Sequence, residues 1–310
     1  MSAAAAVACA RDAFARSPRA LPVENDRPLG PMTTYRVGGA ADLFVSCTSP
    51  DALIEVARVV ALSGIDVLVL GNGSNVLVAD EGFRGIAIVL GDAFDFVVLV
   101  GRELRAGGAT SLPVAARRSA AAGLAGFEWA VGVPGTIGGA VRMNAGGHGS
   151  DIEGSLISAD VVDLRNATRT TRSVGQLDLR YRHSNLTPTD VVVEAHFALA
   201  PGDPIRSESE IAEIVRWRRE NQPGGQNAGS VFTNPHGDSA GRLIDTAGCK
   251  GLRHGTARVS AKHANFFIAD DGGSADDVFA LMREVRRRVR DVHGIELSAE
   301  TQLVGFPEGL

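Results

Sequence analysis

The feature that most constrains this chain is a glycine-rich, apolar segment at residues 123–149, GLAGFEWAVGVPGTIGGAVRMNAGGHG. Residues 132–147 hold six glycines in sixteen positions, at 132, 135, 138, 139, 146 and 147. Glycine inside a regular element is unfavourable by about 0.5–1 kcal/mol relative to alanine, so this density indicates either a flexible linker or a backbone pressed against another surface. Linkers bury nothing, whereas the apolar residues interleaved here need a core: Trp129, Val131, Val133, Ile137, Val141 and Met143. The segment therefore predicts close approach of a flat ligand or of another part of the chain.

Composition and charge exclude some classes of function. The 310 residues are 45% hydrophobic and 22% charged, which is typical of a soluble globular protein with two or three domains. The 31 basic and 36 acidic residues give a net charge of −5, which argues against sequence-independent binding of nucleic acid. No segment approaches the roughly 18 uninterrupted apolar residues of a membrane span. We therefore expect neither a nucleic-acid partner nor a membrane partner.

The cysteines and the N-terminus bear on localisation. Cys9, Cys47 and Cys249 are widely spaced and odd in number, which argues against a disulfide framework or a metal cluster and is consistent with a reducing cytoplasm. The alanine-rich start has no positive charge before its apolar run, unlike a signal peptide. We predict that residues 1–27 are a poorly ordered extension.

The rest of the chain predicts an α+β fold. Residues 49–64 form a well-marked helix, because Ser49 suits the N-cap, Pro50 the first helical position and Gly64 the stop. Strand and helix alternate without a strict βαβ rhythm, and an acidic, proline-containing stretch at 201–209 marks a domain boundary. Further helices are predicted at 111–122, 207–221, 239–247 and 274–293. Strands are predicted at 41–47, 66–71, 158–165, 168–174, 190–199 and 296–305, with a hairpin at 95–109.

A second glycine-rich turn, Gly71-Asn72-Gly73-Ser74-Asn75, follows the predicted strand 66–71. Successive backbone N–H groups in such a turn form an anion-binding concavity, and two of its side chains add donors. The dinucleotide fingerprint G-x-G-x-x-G would require glycine in place of Val76 and then a helix, whereas a strand pattern continues here. A hairpin turn explains this loop alone almost equally well. Two such segments in one chain favour a nucleotide cofactor.

Seven motifs together resemble a known family. They are TTYRVGG (33–39), GNGSNVLVADEGFRG (71–85), GLAGFEWAVGVPGTIGGAVRMNAG (123–146), YRHS (181–184), AGSVFTNPHGDSAGRLIDTAG (228–248), VSAKHANFF (259–267) and ELSAETQLVG (296–305). In this order they closely resemble the UDP-N-acetylenolpyruvoylglucosamine reductases, flavoenzymes of bacterial peptidoglycan synthesis, from about residue 28 to 306. The match is closest to the family's shorter type, which lacks an insertion with an extra tyrosine.

The resemblance implies a fold and its cofactors. It implies a vanillyl-alcohol-oxidase-type FAD-binding fold of two α+β subdomains, at 28–92 and 93–205, and a C-terminal α+β substrate domain at 206–310. It also implies non-covalent FAD, NADPH as co-substrate, and no metal. The residues implied to bind the cofactor are Gly71, Asn72, Gly73, Ser74, Asn75, Pro134, Gly135, Thr136, Gly138, Gly139, Asn144 and Arg219.

The resemblance also implies three catalytic residues. The family's reaction reduces an enol ether beside a carboxylate, which requires a cation at the carboxylate, a group that stabilises the enolate-like state, and a proton donor. Arg182 in YRHS matches the cation, Ser230 in AGSVF the proton donor, and Glu300 in LSAE the third catalytic group. Without the motifs, a surface arginine, a strand serine and an edge-strand glutamate would be the ordinary interpretations.

A UDP-sugar substrate is implied as well. The matching candidates for binding it are Tyr181, Asn234, Arg242, His263 and Asn265. The chain departs from the family at Asn221, where a lysine expected to contact the substrate phosphate is usual. Arg218 or Arg242 is the candidate replacement for that cation.

Two other functions fit parts of the sequence. Another FAD-dependent oxidoreductase of this fold, acting on a hydroxy acid or sugar, would explain the glycine-rich segments. It would not explain Arg182, Ser230 and Glu300 in their motifs. A non-catalytic flavin- or nucleotide-binding protein conflicts with the presence of the same three residues.

Overall fold

The computed structural model describes residues 1–307 and 309–310. Its α-helices within these residues are α1 (Ala3–Ala15), α2 (Pro50–Ser63), α3 (Leu112–Ala121), α4 (Ile137–Met143), α5 (Pro204–Asn221), α6 (Ala240–Thr246) and α7 (Ala275–His293). None of these helices is long and apolar enough to cross a membrane.

The first ten strands precede residue 152. They are β1 (Val23–Pro28), β2 (Ala40–Cys47), β3 (Val67–Val69), β4 (Val76–Val78), β5 (Phe83–Leu90), β6 (Val97–Val100), β7 (Glu103–Gly107), β8 (Leu124–Ala125), β9 (Gly146–Gly147) and β10 (Ser150–Asp151). The later strands are β11 (Leu156–Asp163), β12 (Thr168–Ser173), β13 (Asp190–Ala198), β14 (Ala200–Pro201), β15 (Arg253–His254), β16 (Ala257–Val259), β17 (Phe267–Ala269) and β18 (Gln302–Val304). Helices and mostly antiparallel sheets occur together, which confirms the predicted α+β class.

The chain forms two compact units, each built from three segments. The first unit consists of Met1–Asn25, Asp42–Gly71 and Arg84–Trp217. The second unit consists of Asp26–Ala41, Asn72–Phe83 and Arg218–Leu310.

The first unit contains two larger sheets, besides the two-stranded pairs β9-β10 and β8-β14. One is a five-stranded antiparallel sheet in the order β12-β11-β13-β7-β6, and α4 packs on its central strand β13. The other, most of whose residues belong to this unit, has the order β1-β2-β5-β3, with β3 and β5 parallel. The predicted hairpin at 95–109 is confirmed as β6 and β7.

Helix α2 follows the predicted signals. The Ser49 hydroxyl accepts a hydrogen bond from the N–H of Ala52 at 3.2 Å, and Pro50 takes the first helical position. Gly64 ends the helix in the left-handed conformation, with φ +61°, which a side chain would disfavour. The predicted helix at 49–64 is therefore confirmed.

The prediction of a poorly ordered N-terminus is wrong. Residues 3–15 form α1, which packs on α2 and buries Ala6, Val7, Ala10 and Phe14 in the core of the first unit. The Ser17 hydroxyl also donates to the carboxylate of the buried Glu55 at 2.8 Å. Because the four buried residues lie at helical spacing, the alanine-rich start is an amphipathic helix.

The second unit is organised around α7. Its buried face, Val278, Leu281, Met282, Val285 and Val289, packs in one core with the antiparallel sheet β15-β16-β17. In the same unit, β18 pairs in parallel with β4, which follows the GNGSN loop. This pairing places residues 302–304 beside the strand that follows the loop.

Two predicted elements differ from the structure, and one observed helix is unpredicted. The predicted strand at 296–305 is limited to Gln302–Val304, because residues 298–300 pair with the chain around Phe232 instead. Helix α5 begins at Pro204, three residues before the predicted start and within the predicted boundary stretch. Helix α4 was not predicted, since its two glycines obscure a helical pattern.

Candidate active site

The glycine-rich segment in the first unit is buried, as predicted. Trp129 and Val131 lie in a short 3-10 helix, and Ile137 and Val141 lie in α4, each at most 4% exposed. Pro134 is exposed and Gly135 is half-buried just before α4. The segment is therefore part of the core along one side and leaves its central turn accessible.

Two of the glycines are required by the protein itself. A Cβ on Gly138 would lie 3.0 Å from the backbone oxygen of Gly108, and one on Gly146 would lie 2.6 Å from the Cβ of Asp151. The N–H of Gly138 also donates to the oxygen of Gly108 at 2.9 Å. Gly138 therefore packs closely on the protein's own backbone, and its predicted contact with the cofactor stays a prediction.

Two other glycines leave open space. A Cβ on Gly147 would meet no atom within 4 Å, and Gly139 is exposed with only the Thr136 hydroxyl within 4 Å of that position. Some glycines of this segment thus allow tight packing, and others leave space beside the backbone that a ligand could occupy.

The two glycine-rich segments meet at Gly71. A Cβ on Gly71 would lie 2.6 Å from Oγ1 of Thr136, the N-cap of α4, whose hydroxyl accepts from the N–H of Gly139 at 3.3 Å. The backbone N–H groups of Gly71 and Gly135 donate to no acceptor among residues 1–307 and 309–310. These two backbone donors belong to glycines, so no side chain of their own blocks the approach of a ligand. Such donors fit a phosphate-bearing cofactor.

The rest of the GNGSN loop belongs to the second unit. Gly73 is buried with φ +59°, and a Cβ there would lie 2.3 Å from the backbone oxygen of Met32. The N–H of Thr34 donates to the oxygen of Gly73 at 3.1 Å. Asn72 is exposed and Ser74 is half-buried. The TTYRVGG motif therefore supports the shape of this loop.

Arg182 lies at the tip of a tight hairpin in the first unit. Arg180 and His183 pair by two backbone hydrogen bonds of 3.1 and 2.9 Å, which place Tyr181 and Arg182 between them. Arg182 has φ +55°, an unfavourable conformation for a residue with a side chain, and such strain is common at functional sites. Its Nη2 donates to the oxygen of Gly146 at 2.9 Å, and its guanidinium lies 5.0 Å from the centre of the exposed Tyr181 ring.

Asn144 supports this hairpin. Its side chain is 1% exposed, its Nδ2 donates to the oxygen of Arg180 at 3.1 Å, and its Oδ1 accepts from the N–H of Glu153 at 3.0 Å. Asn144 also ends α4 with φ +40°. The buried amide of Asn144 joins the end of α4 to the Arg182 hairpin, and its predicted contact with the cofactor stays a prediction.

Ser230 and Glu300 lie on adjoining segments of the second unit. The N–H of Glu300 donates to the oxygen of Val231 at 2.8 Å, and Phe232 pairs with Ala299. Both Ser230 and Glu300 are half-buried. The structure thus brings together two of the three predicted catalytic residues, 70 positions apart in sequence.

Asn265 holds the same segment from the other side. Its amide oxygen accepts from the N–H of Phe232 at 3.0 Å, and its amide nitrogen donates to the oxygen of Phe232 at 2.8 Å. The side chain imitates a neighbouring strand, and the residue is 3% exposed. Asn265 therefore supports the Ser230 segment, and its predicted role in binding substrate stays a prediction.

His263 is a half-buried, neutral donor. Burial lowers the pKa of its imidazole, and nearby Lys250 lowers it further. Its Nδ1 accepts from the N–H of Asn265 at 3.3 Å, which places the proton on Nε2, and its ring packs edge-on against Phe266. Nε2 can therefore donate a hydrogen bond to a ligand at neutral pH.

The remaining substrate candidates lie at the start of α6. The amide oxygen of Asn234 accepts from the N–H of Ala240 at 3.0 Å. Arg242 is exposed and forms an ion pair with Asp238, and this hydrogen bond lowers the pKa of Asp238 to about 2. Any phosphate bound by Arg242 would have to share it with Asp238.

Two adjacent arginines near the end of α5 have different surroundings. Arg219 is exposed, and its backbone oxygen accepts from Nζ of Lys262 at 2.6 Å. Arg218 is half-buried, which lowers the pKa of its guanidinium, and its Nε donates to the neutral Oε1 of Gln222 at 2.9 Å. It pairs with no carboxylate among the described residues. The predicted cofactor contact of Arg219 stays a prediction, and the half-buried Arg218 is a second candidate for binding an anion.

No group of three or more His, Cys, Asp or Glu side chains in the described part of the chain is arranged to hold a metal ion.

Comparisons with known proteins identify both halves of the chain. Residues 41–171 match the model of an FAD binding domain, and residues 221–304 match the C-terminal domain of UDP-N-acetylenolpyruvoylglucosamine reductase. The reductase of that name from Rubrobacter xylanophilus is 42% identical over 284 residues, covering 91% of this chain and 95% of that protein. Its counterpart from Heliobacterium modesticaldum is 44% identical over 285 residues, covering 91% and 90%.

A solved structure agrees. The crystal structure of UDP-N-acetylenolpyruvylglucosamine reductase from Thermus caldophilus is similar with a TM-score of 0.80 and 34% identity, covering 92% of this chain and 99% of that one. Together with the FAD-binding match, it confirms the predicted vanillyl-alcohol-oxidase-type fold with its C-terminal domain. The chain belongs to the UDP-N-acetylenolpyruvoylglucosamine reductase family.

Proposed function

We propose that this chain is an FAD-dependent enzyme that uses NADPH to reduce UDP-N-acetylglucosamine enolpyruvate to UDP-N-acetylmuramate, a step of peptidoglycan synthesis. The observation that supports this most strongly is the placement of Ser230 beside Glu300, inside the region that matches the reductase C-terminal domain. The three cysteines are free, which supports a cytoplasmic location.

Backbone groups are proposed to hold the FAD phosphates. In the first unit, Gly71 and Gly135 offer backbone N–H groups that donate to no acceptor among the described residues. In the second unit, the buried Gly73 shapes the loop and the half-buried Ser74 offers a hydroxyl. When bound, FAD supplies the hydride that it receives from NADPH. We propose Arg218 as a further cation for a bound anion, beside the predicted Arg219, because it is half-buried and has no carboxylate partner among the described residues.

Arg182 is proposed to bind the enolpyruvyl carboxylate. A guanidinium stays charged and can donate two parallel hydrogen bonds to a carboxylate. Reduction at the terminal carbon of the enol ether moves negative charge through the adjacent carbon into that carboxylate. A cation fixed beforehand stabilises this charge without reorganising. The hairpin and the bond to Gly146 hold the arginine in one orientation.

Ser230 is proposed to donate the proton that completes the reaction. A serine hydroxyl is too weak an acid for most substrates at neutral pH, but the carbon beside the carboxylate is strongly basic once the terminal carbon has been reduced. Glu300, on the adjoining segment, is proposed to stabilise this state or to assist the proton transfer. The UDP group is assigned to Tyr181, His263, Asn234 and Arg242.

The test is turnover under anaerobic conditions. The purified protein should show flavin absorption, and its consumption of NADPH should depend on the enolpyruvyl UDP-sugar. A hydroxy acid or sugar oxidised with oxygen as acceptor would favour another oxidoreductase of this fold. Flavin binding without any turnover would indicate a non-catalytic binding protein.

A further inference from the structure

The side chain of Asn75 contacts the backbone of Glu300. Asn75 is half-buried at the end of the GNGSN loop, and its Nδ2 donates to the oxygen of Glu300 at 3.0 Å. In return, the N–H of Gln302 donates to the backbone oxygen of Asn75 at 2.9 Å. These two bonds lie where β18 begins to pair with β4, with Gln302 opposite Val76.

The other peptide group of Glu300 is held as well. Its N–H donates to the oxygen of Val231, the residue after Ser230, at 2.8 Å. The backbone of Glu300 is therefore fixed on both sides, by the Ser230 segment through its N–H and by Asn75 through its C=O. Fixing both peptide groups fixes the direction of the Cα–Cβ bond, and hence where the carboxylate can reach.

We propose that Asn75 is a positioning residue for Glu300, in addition to any contact it makes with the cofactor. This inference rests on the proposed function, in which Glu300 acts on the substrate. It gives the GNGSN loop a second role: its last residue aligns a catalytic carboxylate. At saturating FAD, Asn75 should then matter more for the half-reaction in which the substrate is reduced than for reduction of the flavin by NADPH.

The test is Asn75→Asp. Aspartate has the same shape, but it replaces the donor with an acceptor that repels the oxygen of Glu300. Because a misplacement of about 1 Å can cost about a hundredfold in rate, reoxidation of the reduced enzyme by the enolpyruvyl UDP-sugar should slow by about tenfold to a hundredfold. Both half-reactions are measured at saturating FAD, because the added charge also lies in the loop predicted to bind the cofactor, and reduction by NADPH should slow much less than reoxidation.

Asn166→Asp is the matched control. Asn166 lies in the exposed turn between β11 and β12, and its amide donates to the carboxylate of Asp163 at 2.6 Å. The same exchange there adds the same charge away from the proposed site residues, and both half-reactions should be unaffected. Asn75→Ser, which shortens the side chain without adding charge, should give the same selective loss as Asn75→Asp.

A double variant separates positioning from independent effects. If Asn75 acts through Glu300, adding Asn75→Asp to Glu300→Gln should slow reoxidation by less than about twofold more. A full multiplicative loss in the reoxidation rate, or equal slowing of both half-reactions at saturating FAD, would overturn the inference. A normal reoxidation rate in the single variant Glu300→Gln would also overturn the inference. The proposed function would still stand in that case if the unmodified enzyme turns over the enolpyruvyl substrate.

Discussion

Ser230→Ala tests the proposed chemistry most directly. Ser230 is half-buried, its backbone pairs with Phe266, and its hydroxyl makes no hydrogen bond to another described residue. Removing the hydroxyl therefore leaves the protein's own contacts intact. We expect the free energy of unfolding to change by less than about 0.5 kcal/mol. Any large loss of activity would then be chemical in origin.

The expected loss follows from the role of a proton donor. General acid catalysis contributes about 10²- to 10⁴-fold in rate, which corresponds to about 2.7–5.4 kcal/mol of transition-state stabilisation. Half-burial leaves room for a water molecule to replace the hydroxyl in part. Such a replacement would place the loss towards the lower end of this range.

Anaerobic stopped-flow absorbance measures the two half-reactions separately. Reduction of the flavin by NADPH needs no proton donor at the substrate carbon, so Ser230→Ala should bleach at the normal rate. Reoxidation by the enolpyruvyl UDP-sugar should slow by the predicted factor, although the substrate still binds.

The control for Ser230→Ala is Ser158→Ala. Ser158 is a half-buried strand serine in β11, and its replacement should leave both half-reactions unchanged. If both half-reactions of Ser230→Ala slowed together, Ser230 would be a structural or flavin-positioning residue. The proton donor would then have to be sought elsewhere, first at Glu300.

Other perturbations test separate parts of the proposal. Arg182→Lys should lower turnover by at least about tenfold, or about 1.4 kcal/mol of transition-state stabilisation, because a point charge replaces a bidentate group. Near-normal steady-state turnover would mean that Arg182 does not bind the carboxylate. Acid precipitation should release all flavin into the supernatant, and a coloured pellet would contradict non-covalent binding. Tyr35→Phe should raise the free energy of unfolding by about 1 kcal/mol in urea titrations at equal FAD saturation, since the buried Tyr35 hydroxyl has no hydrogen-bond partner among the described residues. A clear loss of stability would mean that this hydroxyl is satisfied, for example by buried water.

Local signals predicted some elements well. Helix α2 was predictable because its capping serine, its first-turn proline and its terminal glycine each determine backbone geometry within a few residues. Helix α1 was missed because alanine supplies little amphipathic contrast, and its burial depends on α2. Helix α4 was missed because glycine disfavours a helix. Gly138 occurs there because the helix packs so closely on β13 that a Cβ would lie 3.1 Å from the backbone oxygen of Val192.

The motifs indicate which residues belong to the candidate site, but they do not indicate whether a residue supports the site or contacts a ligand. Asn144 and Asn265 were assigned to ligands because they stand in the matching motifs, yet each amide is buried and bonded to the backbone of a neighbouring segment. An asparagine that supports a site and one that contacts a ligand look identical in one sequence. Only their hydrogen-bond partners distinguish them. Arg180 lies 36 positions from Asn144, and Phe232 lies 33 positions from Asn265.

Arg218 and Arg219 illustrate the same limit for charges. Adjacent residues on a helix point about 100° apart, so one arginine faces the protein when its neighbour faces water, and the sequence does not say which. A half-buried guanidinium without a carboxylate loses hydration that the single hydrogen bond to Gln222 replaces only in part. A bound anion would restore that interaction, whereas the exposed Arg219 has no such deficit. The same reasoning bears on Asn221, because a neutral residue at the usual lysine position leaves Arg218 as the nearest buried cation along α5.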